Sequence, residues 1–170
     1  MIYLDLDGVF ADFQEKLENV FGPTYDQLSP KELWSKLGKE KNLFLHLNEI
    51  DDAQSLFRSL NLIAKDYGQD VAILTALPIP TGNLSTARKD KIEWVRKHLS
   101  STIQVNTVIG GVNKARFVNL NNNVDILIDD RKKNIVAWEK AGGIGILHET
   151  DNSAPTIIKL ISILDKMEQR

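Results

Sequence analysis

Cysteine is absent from this chain, which excludes disulfides, thiolate zinc sites and cysteine nucleophiles at once. Basic runs are missing too. With 21 Lys and Arg against 23 Asp and Glu the formal charge is −2, so no bulk nucleic-acid binding is expected. No apolar run approaches the length of a bilayer crossing, and no membrane partner is expected. The chain opens directly on a strand-like segment, leaving no room for a cleaved leader, so the expected location is cytoplasmic. Internal repeats and low-complexity tails are also lacking. What remains has the proportions of a soluble globular protein, 42% hydrophobic and 26% charged, and its 170 residues are enough to bury a real core.

The first ten residues organise the rest. Ile2, Tyr3 and Leu4 form a short apolar run that stops abruptly at Asp5-Leu6-Asp7-Gly8, which reads as a buried strand entering a sharp turn. A carboxylate at a strand end inside a crevice is partly desolvated, and it stays charged only if a cation or donors compensate. Two such carboxylates call for a metal, a proton or both.

Along the chain, helical spacing covers residues 9–21, ended by Gly22-Pro23. Ser29-Pro30-Lys31-Glu32 is a helix start with Ser29 as the cap. Residues 51–67 form a longer amphipathic helix. Strands are expected at 71–75, 103–109, 124–128 and 144–147. Helices are expected at 86–99, 113–120, 132–141 and 153–167, with Ile92, Val95 and Leu99 facing inward in the first of these and a turn at residues 121–123. Strands that are nearly all apolar and alternate with helices imply an α/β protein. The expectation is a parallel Rossmann-like sheet of about five strands with helices on both faces, and a small helical cap inserted after strand one.

Polar residues mark the strand ends: Asp5 and Asp7 after the first, Thr75 after the second, Asp129 and Asp130 after the fourth. Lys114 opens the helix after the third. In a parallel sheet these ends lie along one edge. Several carboxylates meeting there need a cation, and an all-oxygen set selects a hard one, Mg²⁺. Thr75 and Lys114 are donors suited to phosphate, with Lys91 a rival to Lys114 for that role. Asp130 is also a candidate N-cap, and Trp34 and Phe44 are candidates for core packing. His46, His98 and His148 are read as structural or exposed. A metal, a phosphate cradle and a free carboxylate together make a phosphoryl-transfer site.

Asp5-Leu-Asp7-Gly-Val, Leu74-Thr75, Lys114 and Ile128-Asp129-Asp130 resemble the four motifs of the haloacid dehalogenase superfamily, in its phosphatase branch. Within it, residues 5–13, 91–95 and 127–131 are similar to the 5′(3′)-deoxyribonucleotidases. The resemblance implies that Asp5 is the nucleophile and Asp7 the general acid and base. It implies Mg²⁺ held by Asp5, Asp129 and the backbone carbonyl of Asp7, with Asp130 orienting metal-bound water. Thr75, the backbone N–H of Ala76 and Lys114 would hold phosphate. Residues 1–14 and 68–170 would form the core and 15–67 the cap, with Phe13, Trp34 and Phe44 stacking on a base. The family places a serine where this chain has Ala76. The implied substrate is a small phosphate ester, a nucleoside monophosphate first. Alternatives are another ester such as a sugar phosphate or a polynucleotide end, a receiver-type phosphoacceptor, and a silent nucleotide binder; an oligomer is left open.

Overall fold

β1 (Ile2–Leu4) lies at the centre of the sheet because no residue in it needs water. In this computed structural model, which describes residues 1–119 and 124–169, it is flanked by β2 (Val71–Leu77) and β4 (Ile126–Asp129). β3 (Gln104–Ile109) and β5 (Ile144–Leu147) form the edges, giving the order β3-β2-β1-β4-β5. All four pairings are parallel, in register Leu4 with Ile73 and with Ile128. The direction of winding changes at β1, so a crevice is expected beyond the carboxyl ends of β1 and β4.

Alternation within the strands sorts the core onto two faces. Ile2 and Leu4 point to one side with Ile73, Ile126, Ile128 and Ile146. Here α3 (Ala53–Asp66), α4 (Ala87–His98) and α6 (Ser153–Glu168) cover the sheet through Leu56, Leu60, Trp94, Val95, Leu160 and Leu164. Tyr3, Ala72, Leu74 and Leu127 point to the other side, against Ile135 and Trp138 of α5 (Lys132–Lys140). Helices therefore lie on both faces, as the alternating pattern implied. α3 falls within the 15–67 segment, yet its buried stripe joins the same cluster as β1.

Several boundaries differ from the sequence reading. The first helix, α1, is Phe13–Phe21 and not 9–21, because the N–H groups of Val9, Phe10 and Ala11 all return to the Leu6 carbonyl in a tight turn. Asp12 then caps α1 by accepting from the Glu15 N–H at 2.8 Å. α2 (Pro30–Leu37) starts at the expected place, with Ser29 and Glu32 making a reciprocal capping box. β2 runs two residues past Thr75, since Ala76 and Leu77 pair with Val108 and Ile109. The segment Gly111–Phe117 is a 3₁₀ helix that ends before the expected residue 120, because Val118 turns to an extended conformation; residue 120 itself and the expected turn at 121–123 lie outside the described residues.

The inward stripe of α4 is also corrected. It consists of Ala87, Asp90, Lys91, Trp94 and Val95, spaced at 0, 3, 4, 7 and 8, while Ile92 and Leu99 are only partly covered. This rotation carries a lysine into the interior. Trp94 anchors it by donating from Nε1 to the Leu47 carbonyl at 2.9 Å.

Candidate active site

The site forms where β1, β2 and β4 end. Asp5 follows β1 directly and is fixed by its backbone: its N–H donates to the Ile128 carbonyl at 2.9 Å, and its Oδ1 accepts from the Leu6 N–H at 2.7 Å. Asp129 closes β4 and is fully buried. Asp130 comes next, partly covered, with its carboxylate against the turn at Gly8. One carboxylate oxygen from each of Asp5, Asp129 and Asp130 lies within 4.8 Å of the others. Asp7, two residues past Asp5, keeps 24% of its side chain exposed.

Two buried lysines answer these acids. The Lys114 ammonium sits between Asp5 Oδ2 at 2.7 Å and Asp129 Oδ2 at 2.6 Å. Asn134 of α5 donates from Nδ2 to both Asp129 oxygens, at 3.0 and 3.1 Å, and the Arg131 N–H donates to Oδ1 at 2.8 Å. The second ammonium, Lys91, donates to Asp7 Oδ2 at 2.6 Å, Thr75 Oγ1 at 3.0 Å and the Ala76 carbonyl at 2.6 Å.

Even so, the acids outnumber their partners. Burial, reinforced by the charge of Asp5, pushes Asp129 up to about 6. Burial, followed by repulsion from Asp5 and Asp129, pushes Asp130 up to about 7. Asp7 is raised as well, by burial first, with Lys91 opposing. For Lys114, burial works against the charge but Asp5 and Asp129 together outweigh it, and its pKa rises. Among the described residues, Asp7 Oδ1 and Asp130 Oδ1 are buried without a hydrogen-bond partner. A divalent hard cation supplies what such a set lacks: charge for the crowded acids and a partner for an orphaned oxygen.

The sequence-predicted residues meet here in part. Asp5, Asp7, Thr75, Lys114, Asp129 and Asp130 share the sheet edge. Ala76 enters through its carbonyl, which accepts from Lys91, and Asp130 does not cap α5, whose flanking residue is Arg131. Phe13 and Phe44 stack at 5.7 Å and Phe13 and Trp34 at 6.2 Å, so the three rings form one pile. Phe44 is 2% exposed and the Lys91 ammonium lies 4.5 Å from its centroid, while Phe13 and Trp34 are partly open.

Three further contributors were not singled out as site residues from the sequence. Lys91 was weighed only as a rival phosphate lysine; its place on a helical stripe between Ala87 and Trp94 is the signal that it turns inward. Asn134 lies one helical turn before Trp138 on the buried stripe of α5. Thr150 donates from Oγ1 to the Gly8 carbonyl at 2.8 Å and holds the turn from the far side, with no sequence signal to mark it.

That turn admits only glycine. Gly8 has φ +79°, and an added Cβ would lie 2.4 Å from Asp130 Oδ2. Gly8→Ala is therefore expected to cost about 1–3 kcal/mol of stability and to weaken Mg²⁺ binding by displacing Asp130. Thermal melts with and without Mg²⁺ test this; a variant with the wild-type melting point and the same Mg²⁺ increment would contradict the packing described.

A family model described as "5' nucleotidase, deoxy (Pyrimidine), cytosolic type C protein" matches residues 1–156. The matched span holds all five strands and every acid and lysine of the site. Among solved structures, one described as "The crystal structure of a hydrolase from Streptococcus pneumoniae TIGR4" is similar, with 13% identity, 96% of this chain and 97% of that chain covered, and a TM-score of 0.47. At that level it supports nothing about the site. No curated protein matches the chain.

Proposed function

Because this chain belongs to the cytosolic type C family of deoxy (pyrimidine) 5′-nucleotidases, a family of hydrolases, we propose that it removes phosphate from nucleoside 5′-monophosphates, deoxynucleotides first, through a phosphorylated Asp5. The observation that carries this reading is the meeting of Asp5, Asp129 and Asp130 within 4.8 Å at the edge where β1 and β4 end. When bound there, Mg²⁺ held by Asp5, Asp129 and the Asp7 carbonyl, with Asp130 beside it, would neutralise charge on the phosphoryl group.

The chain's own residues account for the chemistry. A carboxylate oxygen of Asp5 forms a bond to phosphorus as the ester P–O bond breaks. That electron pair goes to the sugar oxygen, which takes a proton from Asp7, and a free nucleoside leaves. Asp7, now ionised, accepts a proton from water as the water oxygen bonds to phosphorus. The acyl-phosphate bond then breaks, returning its electrons to Asp5 and releasing inorganic phosphate. Lys114 offsets charge at Asp5 throughout, and the Thr75 hydroxyl donates to a phosphate oxygen. The partly open rings of Phe13 and Trp34 suit stacking with a base, whereas Phe44 is closed off between Phe13 and Lys91.

Phosphate release from a panel of ribo- and deoxynucleoside 5′- and 3′-monophosphates, sugar phosphates and a 5′-phosphorylated oligonucleotide tests the reading. Activity is expected to be highest with deoxynucleoside monophosphates and to fall by two orders of magnitude or more on EDTA treatment, returning with Mg²⁺, as expected when a divalent ion supplies several kcal/mol to the transition state. Full activity in EDTA would overturn it.

A further inference from the structure

Lys91 is 1% exposed. Its three N–H groups are all in use, on Asp7 Oδ2, Thr75 Oγ1 and the Ala76 carbonyl. The Phe44 ring covers it at 4.5 Å and keeps water from competing for those bonds. No donor is left over for phosphate. We infer that Lys91 is a positioning residue for the proton-transfer step: it holds the Asp7 carboxyl in one orientation and occupies the acceptor side of the Thr75 hydroxyl, which is thereby a donor. This rests on the hydrolase reading above and adds to it a residue outside the nucleophile, the acid and the metal ligands.

The physical argument has two parts. A hydroxyl oxygen that accepts from an ammonium has its own proton free, so Thr75 faces substrate as a donor and not as an acceptor that would repel a phosphate oxygen. At Asp7, an ammonium 2.6 Å from Oδ2 pins that oxygen with a charge-assisted hydrogen bond. Oδ1 is buried with no partner among the described residues, so the Lys91 contact is what holds the carboxyl in place to hand a proton to the departing sugar oxygen. Without Lys91, both side chains lose this hold, and the Asp7 carboxyl is free to turn away from the departing oxygen. The loss falls on the step that needs a proton.

The test compares two esters by kcat/KM, which reports only as far as release of the first product. A deoxynucleoside 5′-monophosphate has a poor leaving group that must be protonated; p-nitrophenyl phosphate leaves as a stable phenolate and needs no proton. Lys91→Met is expected to lower kcat/KM for the nucleotide by about 100-fold more than for the aryl ester, the lower end of what general acid catalysis supplies. Equal losses on the two esters, or none, would overturn the assignment and leave Lys91 as packing alone. Should Lys91→Met fail to fold, the comparison moves to Asp7→Asn against Asp7→Asn/Lys91→Met, where no buried carboxylate is left without its cation. If Lys91 acts through Asp7, the ratio between the two esters is the same in both; a further loss confined to the nucleotide would overturn it. A wild type that hydrolyses neither ester is a different result, since it removes the hydrolase reading itself.

Discussion

Asp5→Asn is expected to abolish phosphate release while changing the stability of the metal-free protein far less than it changes activity. An amide oxygen is too weak a nucleophile to displace a sugar oxygen from phosphorus, and no acyl phosphate can form on it. Removing a covalent nucleophile of this kind costs about 10⁴–10⁶-fold in turnover. The fold shares little of the loss: the Asn carbonyl can still accept from the Leu6 N–H that now donates to Asp5 Oδ1, and the Lys114 ammonium, facing an amide where Oδ2 stood, keeps Asp129. Asp5 also contributes to the upward push on Asp7, Asp129 and Asp130, so removing its charge relieves all three. The lost pairing with Lys114 and the relieved crowding of the acids oppose one another, so stability moves little while activity is lost. Single-turnover assays and EDTA-treated thermal melts give the two readings side by side. Turnover above a few per cent of wild type, with deamidation of the new Asn excluded by mass spectrometry, would contradict the role of Asp5.

Much of this arrangement was legible in the sequence because the fold turns sequence order into position. Strand-end residues in a parallel sheet share one edge, so Asp5, Thr75, Asp129 and Asp130 could be gathered without coordinates. The apolar runs 2–4, 71–75 and 144–147 announced their strands because both faces of the sheet are covered. Less legible were features decided by tertiary contact. Phe10 and Phe13 sit at helical spacing, yet the helix begins only at Phe13, since the backbone before it is tied to Leu6 and, through Ile50 and Asp12, to the segment around Asn48. Lys91 was hidden for another reason: hydropathy alone orients α4 by Ile92, Val95 and Leu99, and a lysine is assumed to face water. Only the Asp7 carboxylate, the Thr75 hydroxyl and the Ala76 carbonyl that it reaches make its burial favourable, and those lie on β2 and the turn after β1. Thr150 reaches Gly8 across 142 residues, a contact that no local pattern encodes.

Lys114→Met is expected to produce a large loss of stability, with a pH dependence that identifies its cause. Lys114 is wholly buried between Asp5 and Asp129, and breaking a buried ion pair by removing one partner costs about 3–5 kcal/mol. For a domain of this size that corresponds to a melting point lower by roughly 10 °C. The sign with pH follows from the direction of the shifts. Burial and mutual crowding push Asp129 up to about 6 and Asp130 up to about 7 in the folded protein, against the ordinary carboxylate value of 3.8 when exposed, so the folded state binds protons that the unfolded chain has released. Stability carried by these groups therefore rises as pH falls from about 8 towards 5, the reverse of a carboxylate held in a salt bridge. His148 contributes the opposite trend below 6.5, because burial lowers its pKa, but it does so in both proteins and cancels in their difference. Without Lys114 the acids are pushed up further, so the deficit relative to wild type should be widest at pH 8 and should narrow towards pH 5. Adding Mg²⁺ at pH 8 should recover part of it, since a divalent ion replaces the missing charge. Melting curves of both proteins in EDTA at pH 5, 6.5 and 8, and with Mg²⁺ at pH 8, read all of this directly. A deficit that does not change with pH would assign Lys114 a packing role and remove the crowding of Asp5, Asp129 and Asp130 as the physical basis of the site.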